Sequence, residues 1–394
     1  MRNFLDASEI NNRDAKKQLF LKQIINSLLQ EHEQTIPDIC HQFKWSIPTG
    51  TKLVQELVKK KILVKKGKRD SGGGRRPDVF SLNASMGYVI GIELLVQSFK
   101  LTIVNLHHEI VYEYEDTSFD IRQDDEALEF LKGIVPSVIR KQKINKEKIL
   151  GVGIGITGRV NKLNGASYTY LNFDKPLPDI LKEEWQLPVY TANDTQLMAL
   201  GEKNFGHAKG KHNVVIVNVS RGIAVGIITD DNIHYGRSGF AGEFGHIHVS
   251  NNNRLCICGK KGCLETVVSG IALENDYNTE DAIAGKLKTK KYLYKEILQL
   301  AKKGDSKAEL IISKMGEDLG QAVSILIHLL NPELVIIGGS FTTIGEKMIY
   351  PIARGMNLYG LPQLVADCDL KISSLGERAT MLGAFSLVFE KEFQ

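Results

Sequence analysis

The stretch Gly242-Glu243-Phe244-Gly245-His246, followed after nine residues by Cys256-Ile257-Cys258-Gly259-Lys260-Lys261-Gly262-Cys263-Leu264-Glu265, decides how the rest of the chain is read. Three of the five cysteines fall within eight residues, and a histidine stands ten positions ahead of the first. Three thiolates and one imidazole make a closed tetrahedral set for zinc, so a structural ion is expected, with no position open to substrate. Gly259 and Gly262 allow the backbone to turn tightly enough for Cys258 and Cys263 to face one ion. The competing readings are a chance cluster or a redox pair. Disulfides are uncommon in the cytosol, and two cysteines one residue apart are poorly placed to form one. The expected ligands are His246, Cys256, Cys258 and Cys263, with His248 as the spare should His246 face elsewhere.

Two carboxylates flank this set. Glu243 precedes His246 by three residues and Glu265 follows Cys263 by two. Most glutamates are solvated surface acids, but a metal knot that fixes both ends of a loop also fixes the acids at those ends. Gly-Glu-Phe-Gly-His with Cys-x-Cys-Gly-x-x-Gly-Cys-Leu-Glu resembles the signature of the ROK family, named for its repressors, open reading frames and kinases. The resemblance implies a zinc loop over about residues 242–265. It also implies that Glu243, His246 and Glu265 line a sugar pocket.

The chain's 394 residues suffice for two or three domains with sizeable cores. Its 43% hydrophobic and 24% charged content is that of an ordinary globular protein. No run approaches the ~18 apolar residues of a membrane span, and Met1-Arg2-Asn3-Phe4-Leu5-Asp6 lacks the apolar core of a signal peptide. Five mostly clustered cysteines fit a reducing cytoplasm. A net charge of +4 decides nothing by itself. Its distribution does: between Lys44 and Arg76 eleven lysines and arginines stand against Glu56 and Asp70 alone.

That basic segment lies in an N-terminal region of helical pattern. Leu21, Ile24, Ile25, Leu28 and Leu29 fall at helical spacing in a helix expected from Ala15. A second helix is expected near Thr35, a natural N-cap with Pro37 in the first turn, and it runs to Phe43. Lys44-Trp45 turn the chain, and Ser46 caps a third helix with Pro48 in its first turn. Leu53, Val54, Leu57 and Val58 make its buried stripe, leaving Thr49, Thr51, Lys52 and Gln55 outward. Short strands at Ile62–Val64 and Val79–Leu82 bracket a basic, glycine-rich hairpin. Three helices and such a hairpin read as a winged helix-turn-helix, expected over residues 1–83, whose charge suits double-stranded DNA. Ser46, Thr49, Thr51 and Lys52 are the candidate DNA contacts of the third helix. Arg75 and Arg76, behind three glycines, are those of the wing. The alternative is a solvated helix end and a flexible linker. Gly-Gly-Arg-Arg-Pro also resembles the wing of ROK repressors.

From Ser85 strands alternate with helices. A meander is expected at Tyr88–Glu93, Phe99–Leu106 and Ile110–Tyr114, then a helix at Asp124–Lys141 and a strand at Ile149–Ile156. A weak echo begins at Asn213, with strands Val214–Val219 and Gly222–Ile228, a helix Ser306–Leu330 and a strand Leu334–Ile337. Periodicity alone gives α/β. The family resemblance implies a two-lobed, actin-like (ribonuclease H-like) domain over residues 84–394, with a ligand cleft.

Asn193 and Asp194 stand between a strand, Val189–Thr191, and a helix reaching Glu202. By position the pair is a helix cap. By resemblance to ROK kinases, both bind sugar hydroxyls and Asp194 matches the general base. Phosphoryl transfer also needs glycine turns whose amides approach the phosphates. Where ROK kinases carry Asp-x-Gly-Gly-Thr, this chain has Glu93-Leu94-Leu95-Val96-Gln97. Where they carry Gly-Thr-Gly, it has Ser220-Arg221-Gly222. Leu95 and Val96 resist positive φ and fill phosphate space. Only Gly338-Gly339 survives of the three turns. The resulting expectation is a cytoplasmic, sugar-responsive transcriptional regulator, a homodimer or homotetramer that represses carbohydrate genes. Its partners are a DNA operator and a sugar or sugar phosphate, Asp194 is a vestigial base, and structural zinc is the cofactor. An ATP-dependent sugar kinase with a DNA-binding appendage is the alternative.

Overall fold

The computed structural model describes residues 12–70, 76–249, 252–283 and 291–393, so Arg75 lies outside the described residues. The chain forms two compact units. One comprises Met1–Ile156, Asn164–Thr191 and Ala384–Gln394, the other Thr157–Leu163 and Ala192–Gly383.

The first unit begins with helix α1 (Asn12–Glu31), which buries Leu21, Ile24, Ile25 and Leu28 along one stripe. After β1 (Gln34–Thr35), Thr35 opens α2 (Ile36–Phe43) with a reciprocal cap. Asp38 N–H donates to Thr35 Oγ1 (3.2 Å), and Thr35 N–H donates to Asp38 Oδ2 (2.8 Å). Lys44, at φ 55°, ends α2. Ser46 then caps α3 (Ile47–Lys59), its Oγ accepting from Thr49 N–H at 3.4 Å. Gly50 is required where α3 meets α2, because a Cβ there would overlap Cys40 Sγ. Leu53, Val54 and Leu57 are buried as expected, whereas Val58 is 36% exposed. Four residues advance a helix by one turn plus about 40°, which carries Val58 past Val54 and off the buried arc. β2 (Leu63–Lys68) and β3 (Asp78–Leu82) pair antiparallel, and β1 takes the other edge of β3.

The same unit holds a five-stranded sheet in the order β6-β5-β4-β7-β8. β4 (Tyr88–Leu95), β5 (Ser98–Asn105) and β6 (Ile110–Asp116) form the meander. After α4 (Asp124–Lys141), β7 (Ile149–Ile156) returns parallel to β4 and is buried along its whole length. α5 (Leu177–Trp185) leads to β8 (Val189–Asn193).

The second unit repeats this pattern. α6 (Asp194–Phe205) precedes β9 (Val214–Val219), β10 (Ile223–Thr229) and β11 (Asn232–Ile233), which form an antiparallel ribbon. α7 (Gly270–Ile283), α8 (Tyr294–Lys302) and α9 (Ser306–Leu330) follow. β12 (Leu334–Gly338) then pairs parallel to β9. α10 (Glu346–Tyr359), α11 (Pro362–Ala366), β13 (Asp369–Ile372) and α12 (Arg378–Phe393) complete the chain, in sheet order β11-β10-β9-β12-β13. Val217, Leu319, Val323, Ile337 and Ile352 belong to its core, between sheet and helices. In both halves an antiparallel ribbon is extended by a parallel strand, β7 on β4 and β12 on β9, the echo expected from Asn213 onward. Among the described residues no helix is long and apolar enough to cross a membrane.

Candidate functional site

The cysteine segment is built by backbone pairing against the segment from Gly242. Gly242, at φ 98°, lies so close to β10 that a Cβ would overlap Val225 O, and Val225 N–H donates to Gly242 O (3.0 Å). Leu264 N–H donates to Ile247 O (3.0 Å) and His248 pairs with Cys263, so two stretches of chain lie side by side. Gly259 (φ 83°) and Gly262 (φ 79°) turn the segment between them in the left-handed region expected of them.

The ligating atoms of His246, Cys256, Cys258 and Cys263 all lie within 4.8 Å of one another, a cluster that could hold a metal ion. His246 Nδ1 is 3.6 Å from Cys256 Sγ, and the Cys258 and Cys263 sulfurs are 3.6 Å apart. Thiolates sharing one tetrahedral ion at about 2.3 Å stand about 3.8 Å from each other, so the donor set fits. His248 is exposed and outside the cluster; the spare ligand is not used.

Two carboxylates stand close to His246 and Cys256. Its Nε2 lies 3.7 Å from Glu243 Oε2. Glu265 Oε1 lies 3.8 Å from Cys256 Sγ, and its Oε2 is 2.7 Å from where a Cβ on Gly222 would stand. Glu243's carboxyl is pushed up by burial and by the charge of Glu265, while His246 and Arg159 pull it down. Asp194, at the start of α6, is raised to about 6, chiefly by burial and also by Glu243, against hydrogen bonds from Thr195 N–H (2.7 Å) and Oγ1 (3.3 Å). The charge of Glu243 thus acts on Asp194.

Asn193 caps the helix as its position suggests. Its Oδ1 accepts from Thr195 N–H (2.9 Å) and Gln196 N–H (3.1 Å), and its Nδ2 donates to Gly158 O (2.8 Å). Its side chain also hydrogen-bonds the Asp194 carboxylate, which holds that carboxyl lower than burial alone would. Sequence reasoning missed Arg159, whose charge acts on Glu243. The signal available was a charged residue directly after Gly158, in the turn that leaves the buried strand β7.

Two of the three turns differ from the glycine pattern, and the third keeps it. Leu95 pairs with Ser98, so Val96-Gln97 is a two-residue hairpin, and neither residue has positive φ. Ser220 N–H donates to Gly222 O (3.0 Å), closing a second tight hairpin. Gly339 keeps φ 81°, but a Cβ there would meet Ser220 Oγ at 2.5 Å and overlap Asn218 Oδ1.

On the N-terminal module, Ser46 and Thr49 share a hydroxyl–hydroxyl hydrogen bond of 2.8 Å at the start of α3. Lys52 is exposed and Thr51 only half-exposed. Arg76 pairs with Asp70 (3.1 Å), Arg69 with Asp38 (2.8 Å) and Lys65 with Asp78 (2.7 Å). Part of the basic surplus is therefore neutralised internally. Lys44, Lys52, Lys59, Lys61, Lys66 and Lys68 form no ion pair among the described residues.

The ROK family pattern matches residues 89–391. This chain belongs to the ROK family. As a ROK protein it is 31% identical over 350 residues to the xylose repressor of Caldicellulosiruptor bescii, covering 86% of this chain and 88% of that one. It is 30% identical to the glucokinase of Halalkalibacterium halodurans, covering 77% of this chain and 96% of the kinase. A solved structure of a ROK family transcriptional regulator, a homologue of the E. coli MLC protein, superposes with a TM-score of 0.78 at 25% identity, covering 96% of this chain and 97% of that one. The fold is thus the mixed α/β, actin-like ROK fold expected, preceded by a helical N-terminal region.

Proposed function

We propose that this ROK protein is a sugar-responsive, DNA-binding transcriptional repressor of carbohydrate genes and not a sugar kinase. The observation that carries the reading is the Val96-Gln97 hairpin, which stands where a kinase needs a glycine turn for phosphate, while hydroxyl-binding groups remain. Asn193, Asp194, Glu243, His246 and Glu265 are the sugar-binding set. Carboxylates accept sugar hydroxyls, the imidazole Nε2 faces them, and a sugar or sugar phosphate is the effector. The cluster of His246, Cys256, Cys258 and Cys263 holds structural zinc, the ion that a closed Cys₃His set suits. When bound, the ion supplies folding free energy and fixes the loop that carries Glu265.

The module over residues 1–83 is the winged helix-turn-helix, and residues 84–394 are the sugar-binding domain. The family match beginning at residue 89 supports that division. So does the full-length kinase that spans only 77% of this chain. α3 enters the major groove with Ser46, Thr49, Thr51 and Lys52 near the bases, while Arg75 and Arg76 reach the adjacent minor groove. A homodimer or homotetramer in the cytoplasm presents two such modules to a two-fold operator.

The test is titration of operator DNA, selected from a random pool, with and without D-xylose, D-glucose or N-acetylglucosamine. Asp194→Asn and Glu265→Gln are expected to keep DNA affinity and lose most of a sugar response of about 5–150-fold. An undiminished response in both variants places the effector elsewhere. The kinase reading draws on Asp194, whose pKa of about 6 suits a general base. ATP-dependent phosphorylation of those sugars would restore it.

A further inference from the structure

Helix α12 takes part in both compact units, its residues to Gly383 in one and those from Ala384 in the other. In the second unit it crosses α6, the helix that begins at Asp194, with almost no side chain between the backbones. A Cβ on Gly383 would overlap Leu197 O, and one on Gly201 would overlap Ala379 O. Such a crossing has no flexible groups to absorb a displacement.

In the first unit the last turns of α12 are seated closely on β7. A Cβ on Gly153 would lie 2.6 Å from Ala384 O, and one on Gly151 would lie 2.8 Å from Val388 Cγ1. Between these turns Phe385 meets His108 edge-on, ring centroids 4.6 Å apart. His108, 6% exposed and at φ 60°, in turn meets His32 edge-on at 5.2 Å. His32 directly follows α1 of the N-terminal module. Beside it, His107 Nε2 lies 2.7 Å from the carbonyl oxygen of Leu82, the last residue of β3.

The geometry points to Phe385 and His108 as positioning residues that carry a shift of α6 and α12 to the DNA-binding module through His32. The inference rests on the proposed function and adds the route of its regulation. A sugar on Asp194 biases α6, α12 follows because their backbones touch, and the three-ring contact passes the change to the end of α1.

The test uses full-length protein labelled with 5-fluorotryptophan, which gives two fluorine resonances because the chain has two tryptophans. Trp45, packed between Phe20 (4.6 Å) and Phe43 (4.8 Å), reports on the DNA-binding module. D-Xylose, D-glucose and N-acetylglucosamine are titrated into wild type, Phe385→Leu and His32→Asn, the latter at an exposed site of φ 58° that asparagine tolerates. A sugar that binds should move the Trp45 resonance in wild type. Both variants should bind that sugar within about two-fold yet show less than about half of the movement. Equal movement in all three proteins, or none in wild type with a sugar that binds, overturns the route. Should none of the three sugars bind, they are not the effectors and Gly201→Ala supplies the perturbation instead. It is expected to move Trp45 alone but not together with Phe385→Leu, and movement in both overturns the route. If Gly201→Ala does not fold, Ala379→Gly alters the same crossing, with the same expected and overturning outcomes.

Discussion

His246 presents Nδ1 to Cys256 Sγ at 3.6 Å, and this leaves its Nε2 on the side of Glu243. One imidazole therefore faces a thiol of the cluster with one nitrogen and the Glu243 carboxylate with the other. Under the proposed function the metal and sugar sites would share this ring, and a bound ion would fix its orientation.

Loss of metal should accordingly remove sugar binding as well as stability. Cys258→Ser, on the exposed ligand, is expected to lose about one zinc per chain by elemental analysis and to lower the melting temperature. Sugar affinity should fall in parallel although no sugar-binding residue has changed. A variant that is metal-free yet equally stable and sugar-competent would separate the two sites.

Under the proposed function, Asp194 should make sugar binding depend on pH. Its carboxyl titrates near 6 in the folded chain, against an ordinary value of about 3.9. The unfolded chain thus ionises first, and the group's cost to stability grows as pH rises from about 4 and is complete above about 6. Sugar hydroxyls donate to the ionised form, so affinity should weaken as pH falls through 6, and binding at pH 5.5 should release protons. Calorimetry in buffers of different ionisation heat checks this, and Asp194→Asn should abolish the proton release attributable to this group.

No ATP turnover is expected with glucose, xylose or N-acetylglucosamine. Turnover in a coupled assay at about 1–100 s⁻¹, the usual range for kinases, would show that a phosphate finds a seat despite the Val96-Gln97 hairpin.

Removal of Arg75 and Arg76 together should weaken operator binding and flatten its dependence on log salt by about one unit for each phosphate no longer neutralised. Lys65 and Arg69, already paired with Asp78 and Asp38, should affect the slope less when replaced by glutamine. Ser46→Ala should cost about 1 kcal/mol of helix stability through its cap, measurable by chemical denaturation.

Much of the architecture is legible in the sequence because local rules and tertiary packing agree. Thr35 with Pro37, Ser46 with Pro48, and Lys44 between them place two helices, and the strand Val214–Val219 is bounded by its own apolar run. Val58 departs from expectation because its apolar identity outweighs, on paper, its place on the arc. α12 is not legible at all: Ala379, Leu382, Ala384, Phe385 and Val388 are buried, so no polar stripe marks a helical period. At the site, residue types announce the thiol cluster. The two faces of His246, the internal use of Asn193's amide and the influence of Arg159 on Glu243 arise only when distant segments meet. The pairing of Arg69 with Asp38 and of Lys65 with Asp78 is hidden for a related reason. Those acids lie just outside the basic segment in sequence and beside it in the fold.

The Val96-Gln97 hairpin has a consequence for the kind of signal this protein reports. A kinase consumes its sugar, so occupancy of its site depends on how fast product leaves and how much ATP is present. A protein that lacks the glycine turn for phosphate would release a bound sugar unchanged. Under the proposed function, occupancy is then a reversible measure of sugar concentration at equilibrium, indifferent to metabolic flux and to the energy state of the cell.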